Sequence, residues 1–293
     1  MGVMFLYKVF RGFCRMLALL PLRCLYIISD MLFVVVYYIV RYRKKVVMTN
    51  LRNSFPEKTE KERRLIARKF YRFMCDLIVE TLKLTNIDRP QILSRIRYSN
   101  PEIFNDLYRK GKQIFVVTGH YGNWEWLATL ENTTPFHHAT LYKPLKNKIF
   151  DKFTYDLRTK YGTDAIPVAM ALNAINQYRY ENRLTTLCFL SDQSPRRDSI
   201  NYWTTFLNQE TPVHTGIEIL ARRYNAAVMY YEIRRVKRGY YEVDVIPITE
   251  NAAETGKMEI TNKHVQLLEE TIRRNPQFWL WSHRRWKHKR ITL

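Results

Sequence analysis

The sequence predicts an α/β protein: an αβα sandwich with a mixed sheet flanked by helices, preceded by an N-terminal membrane-associated helical segment. Three observations carry this prediction. From residue 97 onward, short apolar runs rich in branched and aromatic residues alternate with amphipathic stretches, the order that builds a mostly parallel or mixed sheet with helices on both faces. Residues 1–45 read differently, as apolar sequence between basic flanks. No repeat of fixed period, Gly/Ser linker or low-complexity tract interrupts the chain, so a solenoid is excluded.

Met16 to Val40 is rich in Leu, Val, Ile, Tyr and Phe but is broken by Pro21, Arg23, Ser29 and Asp30. Its longest uncharged run, Met31–Val40, falls short of the ~20 apolar residues that a clean spanning helix needs. Arg23 and Asp30, with no small-residue cleavage site, argue against a secretory signal peptide. The expectation is a helix or shallow hairpin that lies in a membrane interface or spans with help. Lys8, Arg11 and Arg15 before it, and Arg41, Arg43, Lys44 and Lys45 after it, suit an anionic cytoplasmic leaflet. The plainer alternative is an apolar helix buried in the core. The division expected is a membrane-anchoring segment over 1–45 and a catalytic domain over 46–293.

Thr59-Glu60-Lys61-Glu62 is a capping-box pattern. It opens a helix to about Leu84, with Leu65, Ile66, Phe70, Phe73, Leu77 and Ile78 on one stripe. Asp88 and Pro90 start a further short helix. Strand-like runs follow at 113–118, 139–142, 165–168, 184–190, 227–233 and 241–247. Helical stretches are expected at 101–110, 124–132, 147–160, 170–181, 213–224 and 257–275. In such sheets, sites collect at the carboxyl ends of strands.

Composition bounds the function. The chain has 293 residues, with 48 Lys and Arg against 27 Asp and Glu, a net charge of +21. A hydrophobic fraction of 46% with 14% aromatic excludes a disordered basic tail. The excess charge requires an anionic partner: nucleic acid, anionic membrane, phosphorylated lipid or acidic protein. Residues 1–56 carry nine cations against the single acid Asp30, and seven cations follow from Arg273 onward with no acid. Cys14, Cys24, Cys75 and Cys188 are widely spaced and form no CxxC, which fits reduced thiols rather than a disulfide framework or zinc site. No close His/Cys/acid ligand set appears, so no metal is expected.

The first strand run ends in Val117-Thr118-Gly119-His120-Tyr121-Gly122-Asn123-Trp124-Glu125. Asn123 is a plausible N-cap, which puts Glu125 in the first turn of the next helix. His120 as general base with Glu125 on its other ring nitrogen is the chemistry expected: the carboxylate fixes the tautomer and stabilises the imidazolium. Spacing alone decides nothing, since chance supplies on the order of one His-x4-acid pair in such a chain. A second pair, His264 and Glu269, lies inside a helical pattern that puts the two side chains on different faces. Asp192 in Leu190-Ser191-Asp192-Gln193-Ser194-Pro195 also follows a strand run. It is expected either to orient a cation or the acceptor, or to make an Asx turn before Pro195. Thr215-Gly216 opens a helix whose N–H groups suit an anion or thioester oxygen, or form an ordinary cap. Trp281-Ser282-His283-Arg284-Arg285-Trp286-Lys287 interleaves aromatics and cations. Nucleic-acid binders do this, as do lipid-phosphate sites and membrane interfaces; the plainer reading is a solvated basic tail.

Six blocks in order resemble the late lauroyl/myristoyl acyltransferases of lipid A biosynthesis in Gram-negative bacteria, within the lysophospholipid-acyltransferase-like superfamily. They are RYRKKVVMTNLRNSFPEKTEKER, VVTGHYGNWEW, LYKP, FLSDQSP, TFLNQETPVHTGIEILARRYNAAVMYY and FWLWSHRRWKH, spanning roughly Tyr42 to Lys289. The resemblance implies an αβα acyltransferase on the cytoplasmic face of the bacterial inner membrane. It implies acyl carrier protein as donor partner, with the acyl group carried as its thioester, and a phosphorylated glycolipid acceptor, with no separate cofactor, metal or nucleic acid. His120 would deprotonate a hydroxyl of an acyl chain already on the acceptor, and Glu125 would orient it. Lys143 and Arg158 become candidates for the tetrahedral oxyanion. Asp192 and Thr215 become substrate-side candidates, and His283, Arg284 and Arg285 candidates for lipid phosphate. Gln193 and Ser194 stand where many members of the group have a second acid. The Pro-Glu-Gly motif of glycerolipid acyltransferases is absent after the His block, and Phe55-Pro56-Glu57 precedes it without the glycine, which favours a lipid A-type acceptor. The competing readings are acyl transfer to a lysophospholipid, glycolipid or aminolipid, and a non-catalytic basic protein that binds membrane or anions.

Overall fold

A computed structural model describes residues 2–290. Two helices, α1 (Gly2–Ala18) and α2 (Leu22–Val34), are separated by a bend at Pro21, whose ring removes a helical N–H donor. A wider π turn extends α2 over Val35–Ile39. Next come α3 (Lys44–Ser54) and α4 (Glu60–Lys83). The predicted capping box is present: Thr59 Oγ1 accepts from the Glu62 amide at 3.3 Å, and Glu62 accepts from the Thr59 amide at 2.7 Å. Phe70, Phe73 and Leu77 of α4 are buried as expected, but Leu65 and Ile78 are exposed, so the apolar stripe is narrower than predicted. Asp88 caps the short α5 (Arg89–Leu93).

The remaining elements alternate. They are β1 (Ile96–Tyr98), α6 (Glu102–Arg109), β2 (Ile114–Thr118), a 3-10 segment over Trp124–Leu130, β3 (His137–Tyr142), α7 (Lys148–Thr159), β4 (Asp164–Pro167), α8 (Ala171–Tyr180) and β5 (Thr185–Leu190). Then follow β6 (Trp203–Phe206), β7 (Gln209–Pro212), α9 (Gly216–Tyr224), β8 (Ala227–Lys237), β9 (Tyr240–Thr249) and α10 (Glu259–Arg274). The stretch predicted as a helix over 124–132 is 3-10, and the helix predicted from 213 begins at Gly216. Strand β1 and the β6–β7 hairpin are additions to the prediction. Both are short, three and four residues a strand, and so carry little periodic signal.

One seven-stranded sheet runs β1-β9-β8-β2-β5-β3-β4. β8, β2, β5, β3 and β4 are mutually parallel, whereas β9 runs antiparallel to β8 and carries β1 parallel beside it. The sheet is therefore mixed. Successive residues of β2 point to opposite faces: Phe115 and Val117 join one buried cluster with α3, α4 and α10 residues, while Ile114 and Val116 join another with α1, α6 and α7 residues. Helices cover both faces, as the alternation predicted. The N-terminal helices share these clusters, Tyr7 and Cys14 in one and Phe33 with the π-turn Tyr37 in the other.

Candidate active site

The site follows from strand register. β2 and β5 are adjacent and parallel, with Thr118 opposite Leu190. His120 lies two residues beyond Thr118, and Asp192 two beyond Leu190, so one register sets them side by side at the carboxyl edge of the sheet. The backbone must pass closely there. A Cβ on Gly119 would meet Leu268 Cδ1 at 2.8 Å and press on Asp192, and one on Gly122, at φ +61°, would meet the Ile233 carbonyl oxygen at 2.6 Å.

His120 Nδ1 and Asp192 Oδ1 are 2.6 Å apart. Asp192 Oδ2 accepts from the His120 amide at 3.0 Å and from Trp279 Nε1 at 2.8 Å. The Asp192 side chain is 2% exposed and that of His120 18%. Burial alone would raise the Asp192 carboxyl; the charge and hydrogen bonds of His120, with the Trp279 donor, outweigh it and hold the carboxyl far below the ordinary range. An ionised Asp192 puts the imidazole proton on Nδ1, which leaves the lone pair on Nε2. Nε2 faces the Gln193 side-chain nitrogen at 3.3 Å, and Trp124 packs edge-on against the ring with centroids 5.0 Å apart.

Asn123 accepts from the Trp126 amide at 3.3 Å, as the predicted cap, and so turns Glu125 into the site. Glu125, however, does not hold His120. Its carboxylate takes both branches of the Arg158 guanidinium, Nε at 3.0 Å and Nη2 at 2.7 Å, and the Trp124 indole at 3.1 Å. The expected carboxylate on the imidazole is Asp192 instead. A fork of two charge-assisted bonds is a better partner for Glu125 than one ring nitrogen. Burial pushes Glu125 up, but the Arg158 charge and hydrogen bonds more than offset this and keep it below its usual value. Arg158 sits in the last turn of α7, which Phe153 and Leu157 anchor in the core. Its remaining nitrogen, Nη1, makes no hydrogen bond among the described residues.

The C-terminal block wraps this edge. The Leu280 amide donates to the His120 carbonyl at 3.1 Å, and the Gly122 amide to that of Phe278 at 3.1 Å. Asn50 of α3 clamps the block by donating to the carbonyls of Trp281 at 2.9 Å and His283 at 3.0 Å. His283 Nε2 accepts from the Ser194 amide at 3.2 Å, which anchors the Asp192 loop, and burial pushes it down to about 4. The block is not a solvated tail: Trp281 and Arg285 are buried, and only Arg284 of the Arg pair is exposed. Arg285 therefore cannot join Arg284 on a lipid phosphate at the surface. Lys143 leaves β3 at the same edge with its side chain exposed. Thr215 is buried and bonded to Asn201 Oδ1 at 3.1 Å, with no capping bond to α9. His264 and Glu269 diverge: His264 is buried, while Glu269 accepts from the Leu207 amide at 2.8 Å.

The sequence reading missed Trp279, Gln193, Trp124 and Asn50 as site residues. Trp279 and Asn50 lay inside quoted blocks, and only their contacts mark them. Among the described residues no three His, Cys, Asp or Glu side chains come together as metal ligands.

An imidazole with an ionised carboxylate on Nδ1 and only an amide nitrogen on Nε2, with a partly buried Arg–Glu pair on the same edge, can take a proton from a hydroxyl and stabilise an oxyanion. The model of the bacterial lipid A biosynthesis acyltransferase family matches residues 3–288. No curated protein matches the chain. The match runs through both N-terminal helices, the His120 edge and the C-terminal block, and the chain belongs to the bacterial lipid A biosynthesis acyltransferases.

Proposed function

We propose that this acyltransferase moves a fatty acyl group from an acyl-carrier-protein thioester to a hydroxyl of a phosphorylated lipid A precursor, with His120 as general base. His120 Nε2 takes the hydroxyl proton, and the oxygen attacks the thioester carbonyl carbon. Asp192 holds the ring tautomer and stabilises the imidazolium that forms. Arg158, pinned by Glu125, faces the tetrahedral oxyanion with its free nitrogen. Collapse of that intermediate breaks the carbon–sulfur bond, and the imidazolium returns its proton to the leaving thiolate. Every proton is accounted for by His120 alone, with no cofactor or metal in the cycle. The single observation that carries the reading is His120, with Asp192 at 2.6 Å on Nδ1 and only the Gln193 amide nitrogen, at 3.3 Å, on Nε2.

The acceptor and donor would meet at the cytoplasmic face of the inner membrane. Leu22–Ile39 is long and apolar enough to cross a membrane, with a mean hydropathy of 1.8. Yet α2 bonds to the body along a polar stripe: Tyr26 donates to Glu80 at 2.9 Å and Ser29 to Asp76 at 2.7 Å, and the exposed Asp30 at its rim pairs with Arg238 at 2.9 Å. Its outward surface, with that of α1, carries exposed apolar residues, Phe5, Phe13, Met31 and Ile39 among them, beside the exposed cations Lys8, Arg11, Arg15 and Arg23. A helix bonded to the body along one side and apolar along the other suits lying in an interface rather than spanning alone. The net charge of +21 suits both anionic lipid and an acidic carrier protein.

The test is acyl transfer in detergent micelles, with carrier-protein thioesters of mixed chain length and a bisphosphorylated, under-acylated lipid A precursor. The expected product gains the mass of one ester-linked acyl group, and His120→Ala abolishes it. Transfer to lysophospholipid or glycolipid but not to this precursor would overturn the acceptor, and full activity of His120→Ala would overturn the base.

A further inference from the structure

Glu80, near the C-terminal end of α4, buries its side chain completely. Among the described residues no Lys, Arg or His is ion-paired with it. Its carboxyl instead collects three donors from separate parts of the chain. Oε1 takes the Tyr26 hydroxyl of α2 at 2.9 Å. Oε2 takes the Tyr241 hydroxyl of β9 at 2.7 Å and the Asn123 side-chain amide, also at 2.7 Å. A carboxyl in the interior without a cation is costly, and an apolar side chain would fill the same space without that penalty.

We propose that Glu80 is a positioning residue for the acyl-transfer site: it fixes the Asn123 amide, and through it the turn that presents Glu125 to Arg158. The inference rests on the reading of the Glu125–Arg158 pair as the partner of the oxyanion. Asn123 is itself fully buried. A primary amide has a donor end and an acceptor end, which a half-turn about its last bond would exchange. Glu80 Oε2 admits only the donor end. That leaves Asn123 Oδ1 facing the Trp126 amide, 3.3 Å away, as the cap of the 3-10 segment. Reversed, the amide would set NH2 against N–H, and the cap would be lost.

The main chain of Glu80 holds the other side of the same turn. Its carbonyl accepts from the Trp126 indole at 3.3 Å. Trp126 is buried and packs edge-on against Tyr241, with ring centroids 5.5 Å apart. Glu125 therefore stands between Asn123 and Trp126, both tied to Glu80, with its own carboxylate forked on Arg158 at 2.7 and 3.0 Å. Burial raises the Glu80 carboxyl. With a proton on Oε1, Oε2 still accepts from both Asn123 and Tyr241, so the hold on Asn123 does not depend on the charge.

The experiment measures kcat and KM for both substrates in the micelle assay. Glu80→Leu should lower kcat by about 10- to 10²-fold and leave KM within about twofold. Glu80→Gln can set its oxygen where Oε2 stands and turn its NH2 to the Tyr26 oxygen, and should restore kcat to within about threefold of wild type. Tyr241→Phe strips the same oxygen of its other donor but leaves Asn123 bonded, and should hold kcat within about twofold. The deciding measurement is Glu80→Leu in the Glu125→Gln background, where it should cost less than about twofold more, because its effect passes through Glu125. If Glu80→Leu fails to fold, Asn123→Ala takes its place, with the same loss alone and the same silence over Glu125→Gln. An unchanged kcat in the variant used, a loss equally deep in Glu80→Gln or Tyr241→Phe, or a loss that multiplies with that of Glu125→Gln overturns the proposal. Full turnover by Glu125→Gln overturns the reading of the pair and this proposal with it, so that one variant tells the two failures apart.

Discussion

Two carboxylates meet two different basic side chains at this site, and the pairing decides what each substitution should do. Asp192 fixes the proton on His120 Nδ1. In Asp192→Asn the amide can present its NH2 to the ring and favour the tautomer with Nε2 protonated, the wrong one for a base. The expected loss is about 10³- to 10⁴-fold in kcat, the size seen when a buried orienting carboxylate becomes an amide. A loss under tenfold in the micelle assay would remove Asp192 from the mechanism. Glu125 and Arg158 form a forked pair with side chains only 14% and 21% exposed. Glu125→Gln and Arg158→Gln should each cost about 10²- to 10³-fold, and the double variant little more than either single one, because each residue acts through the other. Losses that multiply would mean that Glu125 serves His120 directly.

At the scale of elements, the parts of the site were legible and their pairing was not. The strand runs ending at Thr118 and Leu190 stand out by apolar content, and both His120 and Asp192 follow a strand end by two residues. What the sequence withholds is that these two strands are neighbours in zero offset. The local spacing of His120 to Glu125 therefore stood in for a contact that is made 72 residues away. Arg285 was hidden for the opposite reason, since a run of cations reads as solvated until the tryptophans around it are seen to fold inward. The same limit applies to α2, whose apolar content shows but whose polar stripe of Tyr26, Ser29 and the rim residue Asp30 becomes meaningful only against α4 and Arg238. If the outer face of α1 and α2 rests on lipid, replacing Phe5, Phe13 and Met31 together by Ser should weaken binding to anionic vesicles at least tenfold. The thermal midpoint should hold, because these side chains are already 67%, 54% and 64% exposed. Unchanged cosedimentation with vesicles would move the contact elsewhere on the surface.

Across the whole molecule, burial of histidines sets a limit on acid tolerance that is separate from catalysis. His138 in β3, His264 in α10 and His283 in the C-terminal block are each pushed by burial down to about 4, whereas an unfolded histidine titrates near ~6.5. Between these values the unfolded chain binds protons that the folded one refuses, so stability falls as pH falls. His137 works the other way. Burial disfavours its charge, but Glu131 at 3.1 Å and Asp164 at 2.8 Å prevail and raise it; its contribution is complete below the unfolded value and is lost only above the folded one. Asp192 and Glu125 are both depressed, so their contributions persist until the pH drops below the ordinary carboxylate range. At pH 5 these three histidines alone give an uptake of roughly two to three protons on unfolding, a slope of about 3–4 kcal/mol per pH unit, which the raised carboxyl of buried Glu80 partly offsets. Against a total stability of ~5–15 kcal/mol, one pH unit in this window decides whether the chain stays folded. Urea midpoints should therefore drop steeply between pH 6 and pH 5. His264→Leu, which removes a buried ring nitrogen that has no partner, should flatten the slope by about one proton. A midpoint that holds from pH 7 to pH 5, or a slope indifferent to His264→Leu, would show that these rings take up protons in place. His283 is also the anchor of the Asp192 loop, so its protonation would release that loop before the molecule unfolds as a whole. Activity should then fall ahead of the unfolding midpoint on acidification, and the interval between the two curves separates loss of the site from loss of the fold.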